Sequence, residues 1–553
     1  MHEGAAAEPL RRPPGHSRRI ALHEQVELVR RRTPERIANR ATDDVDAWLT
    51  CQGLERGMGP ERFDQVLSPA HAGHHALRLP SCAMSPERQP RRRRRRRILI
   101  GVAALIVVLI GAGAVFALTR GGDVSNPDVE FHAEPTQTPA PDAPARKHKG
   151  KQADPLATFV WPDYGYTKDR RRYLPASFKV RPPFRRVWSR VDSSLLEFTP
   201  ILVGPRLYEV NNQGYVEALR KNTGHRVWRK KLGTLAASSP GWGGGRIYVA
   251  LLSRLGSANG RVSAMRPRDG KILWTRDLPS RTESSPLYLN GTVYFGSEGG
   301  TIYAVSARTG ATRWTYQAGG AIKAAVSYSN GNLYFGDYGG RVYAIRARDG
   351  HLVWRTTTHG SHFGLGSGNF YSTATIAFGR VYIGNTDGSM YSFAADSGRL
   401  AWSKGTGAYV YASPGVAQVP GGRPTVYFGS YDGNFYAVDA RSGATRWSYR
   451  SGGRISGAPT IVGNIVYFSD SGMRTTTALN AVSGRKVWEF HKGAFNPVIS
   501  DGRTIFLTGH STQYAMRPKG IRATAVLKPT TAREARQRQR AHRRKARAKS
   551  KGG

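Results

Sequence analysis

The sequence predicts an all-β protein, an eight-bladed β-propeller of four-stranded antiparallel blades, preceded by one transmembrane helix. Eight tryptophans recur at intervals of 40 to 48 residues, and all but the first follow a glycine by four positions. Each interval also holds several strand-sized runs separated by turn residues. A period of about 40 to 50 residues with short strands in each period is typical of propeller blades. The tryptophans are Trp188, Trp228, Trp274, Trp314, Trp354, Trp402, Trp447 and Trp488.

The repeated unit is clearest between Ser284 and Trp314. Its β-branched and aromatic runs favour strands, and Gly299-Gly300 supplies a tight hairpin turn. The glycine four positions before each tryptophan predicts a turn that needs a positive φ and that directs the indole toward the next blade. We therefore expect each tryptophan to be a wedge between blades. These turn glycines are Gly224, Gly270, Gly310, Gly350, Gly398, Gly443 and Gly484.

The two ends of the repeat array complete each other. The last unit, 505–520, has no following tryptophan, and Trp188 has no preceding unit. A strand through Val187-Trp188 that completes the blade begun near Phe495 would close the ring and hide its open edges.

The repeat resembles the pyrroloquinoline-quinone-type repeat, found in quinoprotein dehydrogenases and in the outer-membrane assembly lipoprotein of the Bam machinery. The matching residues include Ala304, Thr309, Gly310 and Trp314, and the match spans about 184–520. The resemblance implies eight blades. An aspartate that often follows the family's alanine by two positions is present at Asp439, but four other units carry Arg220, Arg266, Ser306 and Arg346 there.

The remainder of the chain predicts a membrane protein. Residues 98–118 are 21 uninterrupted apolar or small residues, long enough to cross a bilayer, and seven arginines, 91–97, precede them. The positive-inside rule places the N-terminus in the cytoplasm and the propeller outside. A cleaved signal peptide is the alternative. We expect a basic cytoplasmic segment of low order at 1–97 (with Met84 as a possible true start), a linker or stalk at 119–180, the propeller at 181–520 and a basic disordered tail at 521–553.

Catalysis is not supported by the residues. The two cysteines, Cys51 and Cys82, precede the apolar run, and no metal-binding Glu and Asn set, Asp base or vicinal cysteine pair of a quinoprotein dehydrogenase is recognisable. We assign no catalytic residue, no cofactor-binding residue and no metal ligand, and we expect no cofactor; pyrroloquinoline quinone stays possible but has no site residues to support it. The repeat identifies a fold rather than a reaction.

Two insertions lengthen the repeat, at 251–260 and at 359–371. The first falls in a middle hairpin and the second in a connection between blades. Since loops at one face of a propeller are common binding surfaces, we predict a binding face there, against the alternative of loop variation without function. Its candidate residues are His359, His362, Phe363, Asn369, Phe370 and Tyr371. Tyr409 and Tyr411 alternate as strand residues do, so one of them is expected in the core.

The net charge of +45 predicts attraction to anionic polymers or lipid head groups, and the topology argues against nucleic acid. We therefore expect a membrane-anchored, non-catalytic binding or scaffolding module at the cell envelope, whose partners are envelope proteins or anionic envelope polymers. The oligomeric state is not predicted. A membrane-anchored quinoprotein dehydrogenase is the first alternative, and an extracellular ligand sensor is the second.

Overall fold

The computed structural model describes residues 123–134, 158–176, 180–358 and 368–520, all of which belong to one compact unit of the chain. Four short elements precede the first complete blade, and each of them pairs with a strand of a blade. They are β1 (Val124–Ser125), β2 (Val160–Trp161), β3 (Tyr173–Leu174) and the longer β4 (Phe184–Val191).

The blades are four-stranded antiparallel meanders, numbered here from the first complete one. Blade 1 contains β5 (Ile201–Val203), β6 (Arg206–Val210), β7 (Tyr215–Arg220) and β8 (Arg226–Lys231). Blade 2 contains β10 (Gly241–Gly243), β11 (Arg246–Leu251), β13 (Arg261–Met265) and β14 (Ile272–Asp277), and a separate ribbon pairs β9 (Gly233–Leu235) with β12 (Ser253–Arg254). Blade 3 contains β15 (Leu287–Leu289), β16 (Thr292–Gly296), β17 (Thr301–Ser306) and β18 (Thr312–Gln317). Blade 4 contains β19 (Ser327–Ser329), β20 (Asn332–Gly336), β21 (Arg341–Arg346) and β22 (Leu352–Thr357).

The remaining blades follow the same order. Blade 5 contains β23 (Thr375–Ala377), β24 (Arg380–Gly384), β25 (Ser389–Ala394) and β26 (Leu400–Gly405). Blade 6 contains β27 (Gly415–Ala417), β28 (Thr425–Gly429), β29 (Asn434–Asp439) and β30 (Thr445–Arg450). Blade 7 contains β31 (Thr460–Val462), β32 (Ile465–Asp470), β33 (Thr475–Asn480) and β34 (Lys486–Phe490). Blade 8 contains β35 (Val498–Ser500), β36 (Ile505–Thr508) and β37 (Thr512–Pro518).

The fourth strand of blade 8 comes from the other end of the repeat array. β4 pairs antiparallel with β37, and Trp188 lies opposite Ala515. The eight-bladed propeller and its closure through Val187-Trp188 are thus confirmed. Because the closing strand removes the open edge of blade 8, the ring has no free end at this position.

The core lies between neighbouring blades. The second and third strands of each blade are almost continuously buried, as Val293 and Ile302 illustrate, because both of their faces meet another blade. One buried cluster, for example, joins Ile302 of blade 3 to Leu333 of blade 4. Burial of both faces explains why these strands are β-branched and aromatic runs rather than alternating ones.

Seven joints between blades share one geometry. Each of the seven turn glycines has a positive φ, between 67° and 78°, and the tryptophan of the preceding blade covers it. At Gly350, for instance, a Cβ atom would lie 2.6 Å from the ring of Trp314. The Trp314 Nε1–H donates to the carbonyl of Ala347 at 3.2 Å, and Ala347 lies three residues before Gly350 in the same turn. A side chain at the glycine would therefore displace the indole.

The eighth joint is different, because the closing blade has no such turn. Its tryptophan, Trp488, contacts Phe184 edge-on with ring centroids 5.2 Å apart, and it stacks on Phe490 at 5.6 Å. Aromatic packing thus replaces the glycine dock at the point where the ring closes.

Two described parts of the predicted stalk, 123–134 and 158–176, pack on the propeller. β1 pairs with β26, the outermost strand of blade 5, and Glu134 forms an ion pair with Arg171. The sequence predicts only a linker or stalk at 119–180. Within 123–134, Val129 is nevertheless buried in a cluster with Phe378, and the Arg399–Asp128 pair adds a charge contact.

None of the described residues forms a helix long and apolar enough to cross a membrane. The predicted transmembrane helix at 98–118 lies outside the described residues, as do the segment 1–97 and the tail 521–553.

Candidate functional site

Strand direction gives the ring two unlike faces. The innermost strand of each blade runs from the connection between blades to a turn, and the other three strands alternate in direction. The connections and the turns between second and third strands therefore share one end, here called the connection face. The turns with the docking glycines lie at the other end, here called the turn face. The insertion at 251–260 and the described part of the second insertion, 368–371, belong to the connection face.

Residues 158–176, here called the inner segment, lie inside the ring along the innermost strands. β2 pairs antiparallel with β5 of blade 1, and β3 pairs parallel with β31 of blade 7. Between them, backbone carbonyls of the segment accept hydrogen bonds from the middle N–H of four more innermost strands, those of Trp242, Tyr328, Ile376 and Val416, at 2.8 to 3.0 Å. Lys168 reaches the Tyr288 carbonyl of blade 3. The segment thus contacts seven of the eight innermost strands.

The inner segment also brings buried charges into the channel. Asp163, Arg170 and Arg172 are at most 1% exposed. Arg170 donates to the carbonyls of Val326 at 3.1 Å and Tyr164 at 2.7 Å, and Arg172 donates to the Arg170 carbonyl at 2.7 Å. Burial lowers the pKa of Arg170 to about 10, so its guanidinium keeps its charge at neutral pH. The protein's own chain therefore fills the part of the channel that the innermost strands surround.

The channel opens on the connection face, and residues from one position of the repeat surround this opening, here called the mouth. This position lies four residues before each innermost strand and is here called the mouth ring. Its members are Glu197, Ala237, Glu283, Lys323, Tyr371, Tyr411, Ser456 and Ala494. Below them, Tyr164 of the inner segment hydrogen-bonds Asn496 at 3.1 Å.

Contacts cross the mouth ring between blades that are not adjacent. The Tyr371 hydroxyl of blade 5 donates to Glu283 of blade 3 at 2.7 Å. Lys323 lies 3.3 Å from the other oxygen of Glu283 and 3.6 Å from Glu298. Because Tyr371, Lys323 and Glu283 come from three different connections and contact one another, this part of the mouth is one polar site rather than a set of separate loops.

The environment of Glu197 in the mouth favours the neutral form of its carboxyl group. Burial, and secondly the carboxylate of Glu283, raises the pKa of Glu197 to about 8. One carboxylate oxygen of Glu197 is buried without a hydrogen-bond partner. Burial and the same Glu283 carboxylate hold the pKa of Tyr371 well above its usual value. The mouth therefore disfavours additional negative charge.

Five tyrosines from three blades, two of which belong to the mouth ring, form a group here called the tyrosine cluster: Tyr338, Tyr371, Tyr409, Tyr411 and Tyr431. Their ring centroids form a continuous chain with separations of 4.8 to 6.4 Å. Tyr409 is 51% exposed. Cations flank the cluster, with Lys323 over Tyr338 at 5.2 Å and Arg454 over Tyr431 at 5.8 Å. The cluster is an amphipathic surface that offers both aromatic faces and hydroxyl groups.

The structure distributes the predicted binding-face residues unevenly. Tyr371 belongs to both the mouth ring and the tyrosine cluster. Asn369 is half-buried, and its backbone N–H donates to the Thr386 hydroxyl at 2.6 Å. Phe370 is fully buried and packs against Gly336, so its ring belongs to the core between blades 4 and 5 rather than to a rim. His359, His362 and Phe363 lie outside the described residues.

The tyrosine cluster itself was missed, and the expectation for two of its members was wrong. Tyr409 and Tyr411 lie in a connection, not in a strand, and the buried residue is Val410 between them. The sequence does contain a signal for the mouth, a proline directly before six of the innermost strands. This shared proline lets the connections of different blades be aligned with one another in the sequence. These prolines are Pro200, Pro240, Pro286, Pro414, Pro459 and Pro497.

Eight four-stranded blades with glycine–tryptophan joints define a β-propeller of the PQQ-like repeat class. The sequence profile of the family described as outer membrane protein assembly factor BamB matches residues 212–409 and 387–550. Since these matches together span more than half of the chain, the protein belongs to this family.

A curated relative is the outer membrane protein assembly factor BamB of Burkholderia pseudomallei (strain K96243). It is 29% identical over 152 residues, which are 27% of this chain and 38% of the relative. The chain thus aligns with well under half of the length of that protein.

Solved structures show the same fold at low sequence identity. BamB from Moraxella catarrhalis superposes with a TM-score of 0.50 and 17% identity, covering 62% of this chain and all of that one. The quinohemoprotein alcohol dehydrogenase ADHIIG from Pseudomonas putida HK5 gives 0.53 and 15%, covering 67% and 82%. A europium-containing methanol dehydrogenase gives 0.53 and 13%, covering 66% and 99%. The fold alone therefore serves both a named assembly factor and enzymes.

Proposed function

We propose that this protein is a non-catalytic binding module of the cell envelope and that it docks a protein partner on the connection face. The observation that carries the proposal is the tyrosine cluster with its exposed Tyr409 and flanking cations. Tyrosine and arginine are enriched where proteins bind one another, because a rigid amphipathic ring contributes a large contact area. The inner segment supports the choice of face, since it already occupies the channel along the innermost strands.

A cross-linked pull-down from intact membranes tests the proposal. The full chain is compared with a Tyr409→Ala/Tyr411→Ala variant. We expect the variant to recover at least about tenfold less of the partner that the unaltered protein enriches. Leu352→Ala is the matched control, because Leu352 is 44% exposed on the outer strand of blade 4, away from the cluster. Equal recovery with all three proteins would overturn the proposed face.

The envelope location rests on sequence and family. The apolar run 98–118 follows seven arginines, and the curated relative is named as an outer membrane assembly factor. We propose a single-pass anchor in the cytoplasmic membrane with the propeller outside. A Lys271→Cys variant in a Cys51→Ser/Cys82→Ser background has one thiol, on an exposed turn. It should react with a membrane-impermeant maleimide in cells whose outer layers are permeable to that reagent. Labelling that requires lysis would contradict this topology.

The basic tail extends the proposal to anionic partners. Residues 521–553 carry 12 Lys and Arg against one Glu. We propose that this tail binds anionic envelope polymers or lipid head groups. Such binding should weaken steeply with salt because exposed charges are screened. Envelope binding that persists at high salt after deletion of the tail would count against it.

A quinoprotein dehydrogenase is the second candidate, because the fold is shared with a quinohemoprotein alcohol dehydrogenase, although a shared fold does not favour a shared activity. Pyrroloquinoline quinone is a flat tricarboxylate, so a site for it must supply cations. At the mouth, however, Glu197 and Glu283 oppose added negative charge, and Lys323 already faces two carboxylates. The residues of the mouth therefore do not fit this group, and we derive no catalytic step. Titration of the full chain with the quinone and calcium should leave the quinone spectrum unchanged, and dye-linked alcohol oxidation would overturn the non-catalytic proposal.

A further inference from the structure

Three buried carboxylates meet where the ring closes. Asp192 directly follows the closing strand β4, while Glu209 and Glu217 lie opposite each other on β6 and β7 of blade 1. They are 8%, 2% and 1% exposed. One oxygen of each lies within 4.8 Å of the others. This group, here called the carboxylate triad, lies outside the mouth ring and the tyrosine cluster.

Other blades show what this position normally holds. The fourth residue pair between the second and third strands is Glu209–Glu217 in blade 1. The same register holds Phe295–Tyr303, Phe335–Tyr343 and Phe428–Tyr436 in blades 3, 4 and 6. Those rings are stacked, with centroids 4.9 to 5.3 Å apart. Blade 1 thus has two carboxylates in the place of a stacked aromatic pair of the core.

The partners of the triad leave one carboxylate without compensation. Glu217 accepts from Arg190 and Arg226 and pairs with Arg229 at 2.8 Å. One oxygen of Asp192 accepts from the Ser194 N–H at 3.0 Å and from the Asn211 side chain at 2.6 Å. Neither carboxylate oxygen of Glu209 has a hydrogen-bond partner. A buried carboxylate without a partner is costly, so a positive group is expected beside it.

We propose that the carboxylate triad binds one calcium ion, which ties the closing strand of blade 8 to blade 1. Calcium prefers carboxylate oxygens at about 2.3 to 2.6 Å, so two such bonds span about 4.8 Å and one ion can contact all three residues. Magnesium, with bonds of about 2.0 to 2.1 Å, requires a tighter arrangement. The ion would stabilise the joint between blades 8 and 1, adding to the dock of Trp188 on Gly224 at the same joint. This proposal is independent of the partner and of the connection face.

The test measures calcium bound to the purified full chain after removal of divalent ions, together with its melting temperature. We expect one calcium per chain and a melting temperature that rises on the order of 3 °C at about a hundredfold excess over the dissociation constant. Glu209→Gln and Asp192→Asn should each abolish both effects, because each removes a charged ligand and preserves side-chain shape. Magnesium should give a smaller rise.

Asp277→Asn is the control, since Asp277 is an acidic residue paired with Arg261 outside the triad, and this variant should keep the full calcium response. A Glu209→Phe/Glu217→Tyr variant, which introduces the pair of blades 3, 4 and 6, should fold and show no response. If the unaltered protein binds no calcium, or if Glu209→Gln responds as Asp277→Asn does, the proposal is overturned. The proposal is also overturned if the unaltered protein binds no ion and the Glu209→Gln variant melts at a higher temperature than it does. Glu209 would then be a buried acid without a metal.

Discussion

The central channel has two regions, the part surrounded by the innermost strands and the mouth, and their polar groups have different kinds of partner. Innermost strands present backbone N–H groups to the channel, and these groups need partners. Along the strands, the inner segment supplies carbonyls from the protein's own chain to most of the blades. At the mouth, side chains such as Tyr371 and Glu283 contact one another, and Tyr409 is left exposed. This contrast is the basis on which we assign stability to the inner segment and propose recognition for the mouth.

The largest expected effect concerns the inner segment. Trp161 is 1% exposed and lies 4.6 Å from the ring of Tyr166. Trp161→Ala should lower the free energy of unfolding by about 4 kcal/mol, because it leaves a large cavity beside blade 1. Denaturant unfolding followed by tryptophan fluorescence measures this loss. A loss below about 1 kcal/mol would mean that the inner segment does not stabilise the ring.

A substitution at a glycine–tryptophan joint of the turn face should lower the free energy of unfolding nearly as much. Gly350→Ala combines a positive φ with a Cβ atom that meets Trp314, so we expect a loss of about 3 kcal/mol. Gly331→Ala is the matched control, because Gly331 also has a positive φ but a Cβ atom at that position would meet no other atom within 4 Å. It should cost about 1 kcal/mol. Equal losses for the two variants, measured by thermal unfolding, would show that the indole is not a wedge.

The mouth should respond to pH rather than to packing. The pKa of Glu197 is about 8 in the folded protein and 4.5 is its ordinary value, so the unfolded chain releases this proton first. Stability is therefore lost as pH rises from about 4.5 to about 8. At pH 9 the free energy of unfolding of Glu197→Gln should exceed that of the unaltered protein by about 2 kcal/mol. This is less than the whole pKa change of Glu197 would give, because water screens the half-buried group. Denaturation midpoints should agree at pH 4, and a difference that does not depend on pH would refute this assignment.

The smallest expected effect on stability is at the tyrosine cluster. Tyr409→Ala should change the free energy of unfolding by less than about 0.5 kcal/mol, because the side chain is 51% exposed. Thermal unfolding of this variant beside Trp161→Ala compares the two regions directly. A loss of several kcal/mol at Tyr409 would remove the distinction between a structural channel and a mouth available for recognition.

Sequence alone predicts the ring well because its signals repeat. The glycine and tryptophan of each unit occupy equivalent positions, and the unmatched Trp188 identifies the closing strand. The inner segment could not be predicted in this way, since it binds mainly through backbone carbonyls, which every residue has.

The candidate site was predicted only in part, for a related reason. Tyr371 was found through the length of its connection, whereas its contact with Glu283 joins residues 88 positions apart. The apparent alternation of Tyr409 and Tyr411 favours a strand, but the local structure is a connection in which Val410 points into the core. Contacts between connections depend on how the blades are arranged around the axis, and periodicity within one blade carries no information about that arrangement.

The central claim, that the connection face holds the partner, is tested most directly by photo-cross-linking in membranes. A photoreactive phenylalanine analogue is placed at Tyr409 on the connection face or at Arg308, an exposed turn residue on the turn face. We expect a cross-link to one envelope protein from position 409 and none to that protein from position 308. A cross-link to an envelope protein from position 308, with no cross-link from position 409, would contradict the claim.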